Sequence, residues 1–549
     1  GPNMMAGPDE QWDMIGYDWD GDGKAEALMR GADNMIIHTS TGETIEIGDM
    51  NYDNGGTGTR AEYTHDGAEY LLYLNGETGV PYGYTGGGRF MPPAYPLPRY
   101  EAGESDYGKV WGRVDTGHRA TKHYFGAPYL DGVKPSIFLS RGCYTQHKMC
   151  ALDVNPATHE LTQRWRWYTN DSKSPWYGNG FHNFQIADVD MDGRDEIVIG
   201  SMVIDDDGHG LSTTGLGHGD AQHCGDLDPY RWGLEQFTCQ EGSQGNSYWN
   251  ATTGQMYYRK ADGGDDGRSM AGNFTNDYPG GQGRSVSSGI IGLSSDKVLP
   301  VDAESKMSWG DLNMRIYWDG DLLDELFNSP GVGRVAKITK WGNGRIYTSP
   351  TGMLNNASKN NPCFLGDIFG DWREEFIVRS SNNTFDIYET NFHTDYSLPT
   401  LWVDHEYRNA MAWQAVGYNQ PPHPSFFLGE KEGITMAPPP VMLSGRKVIR
   451  NGETITTTKA HLLLCEQGNM SVSVANGASP WIVTDNAPAI VQGTGRNNEL
   501  SMNPTPTTTT YTHTLTGGAF AGATRLVKQG EGTLVLPTVV ENYTGNTDI

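Results

Sequence analysis

Carboxylates recur along this chain at a spacing suited to gripping a hard cation. Asp18, Asp20, Asp22 and Glu26 form one set, Asp188, Asp190, Asp192 and Glu196 a second, and Asp367, Asp371 and Glu375 a third. In each, the last carboxylate falls eight positions after the first. Acidic side chains at alternate loop positions, with a glycine to permit a sharp turn, converge on a cation that takes roughly six to eight oxygens, which is calcium chemistry. A looser set is Asp226, Asp228 and Glu235, where one extra residue precedes the closing acid. Asp319 with Asp321, and Asp205 with Asp207, read either as further ligand pairs or as turn caps. Asn273 to Asp277 keeps oxygen ligands but little charge. Solvated Asp and Gly turns are the bland explanation of one such loop; three matched closing carboxylates argue for metal, structural at most of the sites.

An apolar run follows each loop: Ala27 to Met29, Ile197 to Ile199, and Phe376 to Val378. Their β-branched and aromatic residues favour a strand where an EF-hand would continue as a helix. Loop-plus-strand units spread along a chain imply radial repetition, and blades of roughly 40–50 residues absorb most of the 549 residues as one β-propeller. With 72 Gly, 15 Trp, 28 Tyr and only 19% charged residues, the composition fits an all-β fold of short strands.

The formal charge of −27 excludes a nucleic-acid partner, because no basic surface offsets a phosphate backbone. Cys143, Cys150, Cys224, Cys239, Cys363 and Cys465 contain no CxxC pair, so a zinc or redox site is not expected. Cys143 with Cys150 and Cys224 with Cys239 are close enough for hairpin disulfides, although spacing does not fix connectivity. No run of about 18 apolar residues is present to span a membrane. The start at Gly1-Pro2-Asn3 lacks a charged-then-apolar signal, as expected if a signal was removed or the chain is a piece of a longer one.

Five segments are too unusual for generic blades: Gly215 to His223, Trp318 to Leu322, Asn355 to Asn360, Gly370 to Glu375 and Gly417 to His423. In these and their order, from about residue 3 to 430, the chain closely resembles polysaccharide lyase family 11, the rhamnogalacturonan lyases. The resemblance implies an eight-bladed propeller with several bound calcium ions and an active cleft over its axis. It implies cleavage of the rhamnose to galacturonate bond of rhamnogalacturonan I, and a secreted or bacterial cell-surface protein. The family's chain extends further upstream, so part of one blade is expected to be missing here.

Elimination at galacturonate needs its carboxylate neutralised, its carbon-5 proton removed and the oxygen on carbon-4 expelled. Arg268 with calcium suits the first task, since guanidinium binds carboxylate bidentately; pairing with Asp265 and Asp266 is the competing role. Lys359 is the favoured base, because nearby bound cations would depress its pKa; a fixed cationic contact is its alternative. His218 and His223 stand behind it as candidate bases or as walls of a calcium site, with His182 considered beside them. Asn356, Ser358, Tyr418, Asn419, Gln420 and His423 are the expected substrate contacts, Tyr418 offering a stacking face and a hydroxyl.

Residues 1–440 therefore read as the propeller. From 441 to 549 the acidic loops stop, Thr505 to Thr510 is of low complexity, and Leu526 to Leu536 with Asn542 to Gly545 resembles passenger-associated β-helix repeats. This part is expected to be an accessory β domain or the start of a β-solenoid. Two other functional classes compete with the lyase: a non-catalytic calcium-binding, carbohydrate-binding propeller, and a glycoside hydrolase, which needs only two suitably separated carboxylates.

Overall fold

Short apolar or alternating runs, broken every few residues by glycine, make a chain of strands. The computed structural model describes residues 14–52, 67–112, 118–231, 233–242, 244–261, 264–300, 303, 312, 314–328, 335–352, 354, 360–380, 383–414 and 416–430. In the C-terminal part it describes 446–449, 451–456, 461–464, 469–480, 482–485, 487, 489–492, 507–528, 532–536 and 547–548. The fold is all-β, as expected, with short helices at Tyr107–Trp111 and His405–Trp413.

Up to residue 388 the strands form separate small sheets that follow the chain. Gln185–Ala187, Glu196–Ile199, Met202–Ile204 and Gly210–Thr213 make one antiparallel meander in sequence order. Four-stranded meanders also start at His123, Gly219, Ser269 and Met314, and a three-stranded one at Phe364. Met14–Tyr17, Glu26–Ala32 and Glu69–Leu74 make another sheet, beside Met35–His38, Thr44–Ile47 and Arg89–Phe90. In several meanders burial falls from first strand to last: His123–Gly126 and Gly219–Gly225 are buried throughout, whereas Met256–Lys260 and Gly344–Thr348 are half-buried or exposed. First strands meet one another, Gly219–Gly225 packing on Ser269–Gly272 and that strand on Met314–Ile316. The helix His405–Trp413 crosses the first strands Met14–Tyr17, His123–Gly126 and Gln185–Ala187, with Trp413 buried among Phe184, Tyr124 and Phe138. Glu69 is buried among Arg30, Arg99 and Arg141; burial raises its pKa, but the three guanidiniums bring it down to about 2 and so join two sheets through one ion cluster.

After residue 445 two parallel sheets appear, beside one antiparallel pair, Ala489–Gln492 with Thr507–Thr510. Arg446–Val448, His461–Leu464, Ile482–Asp485, Arg525–Lys528 and Thr547–Asp548 stack in one parallel sheet. Thr454–Ile455, Met470–Val474, Thr512–Gly517 and Thr533–Val535 stack in a second. The two enclose a core of Ile455, Leu462, Leu464, Val472, Val483, Leu515 and Leu526. No helix among the described residues is long and apolar enough to cross a membrane.

The hairpin disulfides do not form. No disulfide joins Cys143 to Cys150 or Cys224 to Cys239, and Cys465 lies outside the described residues. Strand register is the reason: Cys224 faces Gln236 while Cys239 faces Ala221, three ladder steps away, and Cys150 sits between Leu139 and Arg166. Alkylation in denaturant without reductant should therefore modify Cys150, Cys224 and Cys239 at full yield. A crosslinked Cys224–Cys239 or Cys143–Cys150 peptide in the mass map would contradict this register.

Candidate functional site

Each acidic loop ends on a glutamate that opens the next strand and turns its carboxylate back over the loop. Glu26 Oε2 accepts from the Trp19 amide at 3.0 Å and Glu196 Oε2 from Val189 at 2.8 Å. Glu235 Oε2 takes Leu227 and Asp228 at 3.0 Å each, and Glu375 Oε2 takes Ile368 and Phe369 at 2.8 and 3.0 Å. In all four, a donor lies seven residues before the acid. Gly23 and Gly193, each after a third aspartate, adopt φ of 88° and 91°, where a side chain is strained. The third loop has Trp372 there at φ 71°, held by burial against Tyr317.

The carboxylates gather as a cation would need. Oxygens of Asp18, Asp20, Asp22 and Glu26 lie within 4.8 Å of one another, as do those of Asp188, Asp190 and Glu196, and of Glu196, Asp205 and Asp206. Asp206, rather than the expected Asp207, therefore joins Asp205; Asp207 is bound by His209 Nδ1 at 2.9 Å. Glu196 Oε1, Glu235 Oε1 and Asp226 Oδ1 are buried without a hydrogen-bond partner. Burial first, then neighbouring charge, pushes Asp190, Glu196 and Glu235 well above the carboxylate range and Asp205 and Asp226 up to about 7. Buried oxygens with no donor, in all-oxygen clusters, fit a hard divalent cation. In the Asp367 loop, protein donors serve more of the acids: Thr400 and Leu401 bond Asp367 Oδ2 at 2.6 and 2.8 Å, and Arg373 pairs with Asp371.

The Asp319 and Asp321 pair belongs to a fifth loop of this design. Glu325 Oε2 accepts from Trp318 and Asp319 at 2.8 and 3.1 Å, again seven residues back for Trp318. Here Lys340 Nζ fills the loop, pairing with Asp319, with Asp321 at 2.5 Å and with Glu325 at 3.3 Å. Glu325 was overlooked because Tyr317 stands where the other loops begin with aspartate, which hides the pattern.

A second group of polar residues converges where first strands meet. His218 Nδ1 contacts the Gly180 carbonyl at 2.6 Å; a carbonyl only accepts, so this nitrogen carries the proton and Nε2 its lone pair. His218 Nε2 lies 3.2 Å from His182 Nε2, which is 3.0 Å from the Tyr144 hydroxyl and 3.5 Å from Asp220. Tyr418 stacks on His182 with centroids 4.3 Å apart, and Arg119 covers Tyr144. Arg268 is 8% exposed, its pKa lowered by burial to about 10 against the pull of Asp220 and Tyr418. Asp220 also gathers with Glu241 and Asp265. Burial keeps His218 neutral, its pKa near 4.

The other expected residues divide. His223 and His423 form a separate buried pair, Nδ1 to Nε2 at 3.0 Å, with His223 Nε2 on the Ser269 carbonyl at 2.9 Å; burial lowers both, His223 to about 4. Lys359, Asn356 and Ser358 lie outside the described residues. The residues just after them lead to the cluster: Asn361 Nδ2 bonds the Asn419 carbonyl and Asn419 Nδ2 the Pro362 carbonyl, both at 3.1 Å, beside Tyr418. Gln420 is buried, its amide on Asn419. Tyr144 and Asp220 were not singled out from sequence; Asp220 lies inside the unusual Gly215 to His223 segment, whereas a lone Tyr144 gives no signal.

The profile described as "Rhamnogalacturonan lyase family 11, C-terminal domain" matches residues 1–440. The chain belongs to rhamnogalacturonan lyase family 11. It is 38% identical over 470 residues to the rhamnogalacturonan exolyase YesX of Bacillus subtilis (strain 168), covering 81% of this chain and 71% of that protein. It is 37% identical to the rhamnogalacturonan endolyase YesW of the same organism, over 80% of this chain and 66% of that protein. The crystal structure of the exotype lyase YesX superposes with a TM-score of 0.69 at 36% identity, over 80% of this chain and 71% of that one. The Bacillus licheniformis rhamnogalacturonan lyase structure gives 0.66 at 34%, over 78% and 69%. As a member of family 11 this chain is a polysaccharide lyase, which sets aside the non-catalytic propeller and the hydrolase.

The Lys340 loop yields a direct check. Lys340→Met leaves three crowded carboxylates without their cation and should cost about 3–5 kcal/mol in calcium-free buffer. Added calcium should restore much of that loss in thermal melts. A variant whose melting temperature ignores calcium would show that this loop does not share its sisters' geometry.

Proposed function

We propose that the chain cleaves the rhamnose to galacturonate bond of rhamnogalacturonan I by calcium-assisted β-elimination, in a cleft walled by Tyr144, His182, His218, Asp220, Arg268 and Tyr418. The observation that carries this reading is the convergence of buried Arg268 and Tyr418 on Asp220 and His182. Arg268, largely dehydrated, pairs with the uronate carboxylate and makes the adjacent carbon-5 proton more acidic. Lys359 accepts that proton; the freed electron pair forms the C4–C5 double bond and the carbon-4 oxygen leaves with the departing sugar. Tyr418, Asn419 and Gln420 line the sugar path, with the Asn361 to Asn419 bonds linking it to the chain that follows Lys359. Neutral His218 and its neighbour His182 act as wall and hydrogen-bond partners in this scheme.

Calcium, when bound, supplies cationic charge near the substrate carboxylate and neutralises the acidic loops. Its holders are Asp18, Asp20, Asp22 and Glu26, then Asp188, Asp190, Asp192 and Glu196 with Asp205 and Asp206, then Asp226, Asp228 and Glu235, and more weakly Asp367, Asp371 and Glu375. Asp319 and Asp321 leave the set, since Lys340 serves them. The meanders are blades of an eight-bladed propeller with first strands at the axis, a reading supported by the burial gradient and the contacts between first strands. Residues 441–549 open a β-solenoid, supported by their two parallel ladders. Such an enzyme works outside the cell, where its polymer is.

Incubation with rhamnogalacturonan I should raise ultraviolet absorbance as the unsaturated uronate forms; hydrolysis or mere binding creates no such chromophore. Lys359→Ala should lower turnover by about 10²–10⁴-fold with the fold intact. Near wild-type turnover would move the base to another residue, and an equal loss of substrate binding would make Lys359 a contact. Chelation should abolish activity and lower the melting temperature, because crowded carboxylates repel once the cation is gone. Equal melting temperatures after verified metal removal would count against calcium.

A further inference from the structure

Glu406 lies in the first turn of the helix His405–Trp413, is 3% exposed, and has no hydrogen-bond partner on either carboxylate oxygen. An ionised carboxylate so placed is unfavourable by several kcal/mol unless a cation meets it. The charges that bear on it are all negative, those of Asp404, Asp195, Asp188 and Asp226. The positive groups at hand are turned elsewhere. His405 Nε2 lies 2.7 and 2.9 Å from the two oxygens of Asp195, and Arg408 faces His405 Nδ1 at 3.1 Å.

Packing sets the helix that carries Glu406 on a strand that leads into one acidic loop and is tied to the strand that leads into another. Its helix rests on the strand Gln185–Ala187, which runs into Asp188. Gln185 exchanges two side-chain bonds with the backbone of Cys224, at 2.7 and 3.0 Å, tying that strand to Gly219–Gly225, which runs into Asp226. On the other side Asp404, the helix cap, binds Ser425 at 2.6 and 2.8 Å, and Phe427 donates to Asp226 Oδ2 at 3.1 Å. Asp226 Oδ1 is buried without a partner. The donors at this junction are all oxygens, which select a hard divalent cation over a transition metal. A proton on Glu406 shared with a neighbouring carboxylate is the rival explanation, and it predicts no change in bound calcium on Glu406→Gln.

We propose that Glu406 is a ligand of a calcium-class divalent cation shared with Asp226 and the Asp188–Glu196 loop, so that metal clamps the helix His405–Trp413 to two neighbouring sheets. This rests on the reading that the acidic loops hold calcium. It adds a ligand from outside every loop, one that the spacing of carboxylates along the chain does not announce.

The test uses the full chain, stripped with chelator and dialysed against calcium alone, with bound metal counted by mass spectrometry and melting followed in parallel. Glu406→Gln, nearly isosteric, should bind one calcium fewer per chain and show a smaller calcium-induced rise in melting temperature. The same count and the same rise in variant and wild type would overturn the proposal while leaving calcium in the loops. Wild type that binds no calcium would overturn both. Should Glu406→Gln fail to fold, Glu406→Asp keeps the charge with shorter reach. It should retain the ion at clearly weaker affinity, and unchanged affinity would equally overturn the assignment.

Discussion

A glutamate that begins a strand and bends back to cap the loop before it is the interaction on which this architecture turns. The loop amide seven residues earlier would otherwise be a buried donor without an acceptor, and the carboxylate satisfies it. Satisfying it with one oxygen leaves the second facing the aspartates, so a single backbone requirement also creates the concentrated negative charge. Strand start, turn shape and cation demand are thus one event, repeated at Glu26, Glu196, Glu235, Glu325 and Glu375.

How each knot of charge is settled differs along the chain. Around Glu69 the answer is three guanidiniums, and around Glu374 it is Arg315, which also holds Asp324. At Asp319 it is one ammonium. At Glu196 and Glu235, Arg194 and Arg231 reach only the outer aspartates, and one oxygen of each glutamate stays buried and unbonded. Part of the net charge of −27 therefore sits in buried clusters and not on the open surface.

Much of this was legible in residue order. Closing acids at fixed spacing gave the loops, and the β-branched runs behind them gave the strands. What escaped depended on partners distant in sequence. Lys340 arrives from the next strand but one and cannot be foreseen from Asp319 and Asp321. Cys224 and Cys239 look pairable at fifteen residues, but ladder register separates them. Tyr144 joins His182 and His218 only through folding, and nothing in its neighbours marks it. The parallel tail was an open alternative because stacking direction leaves no trace in a single strand's alternation.

The ammonium in the Asp319 loop sets a timetable as well as a charge balance. A sheet that carries its own cation can close its loop in any ionic medium, at the rate of local chain collapse, since Lys340 is only fifteen residues beyond Glu325. If the other acidic loops hold calcium, as proposed, their sheets close only as fast as that ion is supplied. The Met314–Thr348 sheet thus carries within itself the positive charge that its loop needs, and its closure is independent of what the medium supplies.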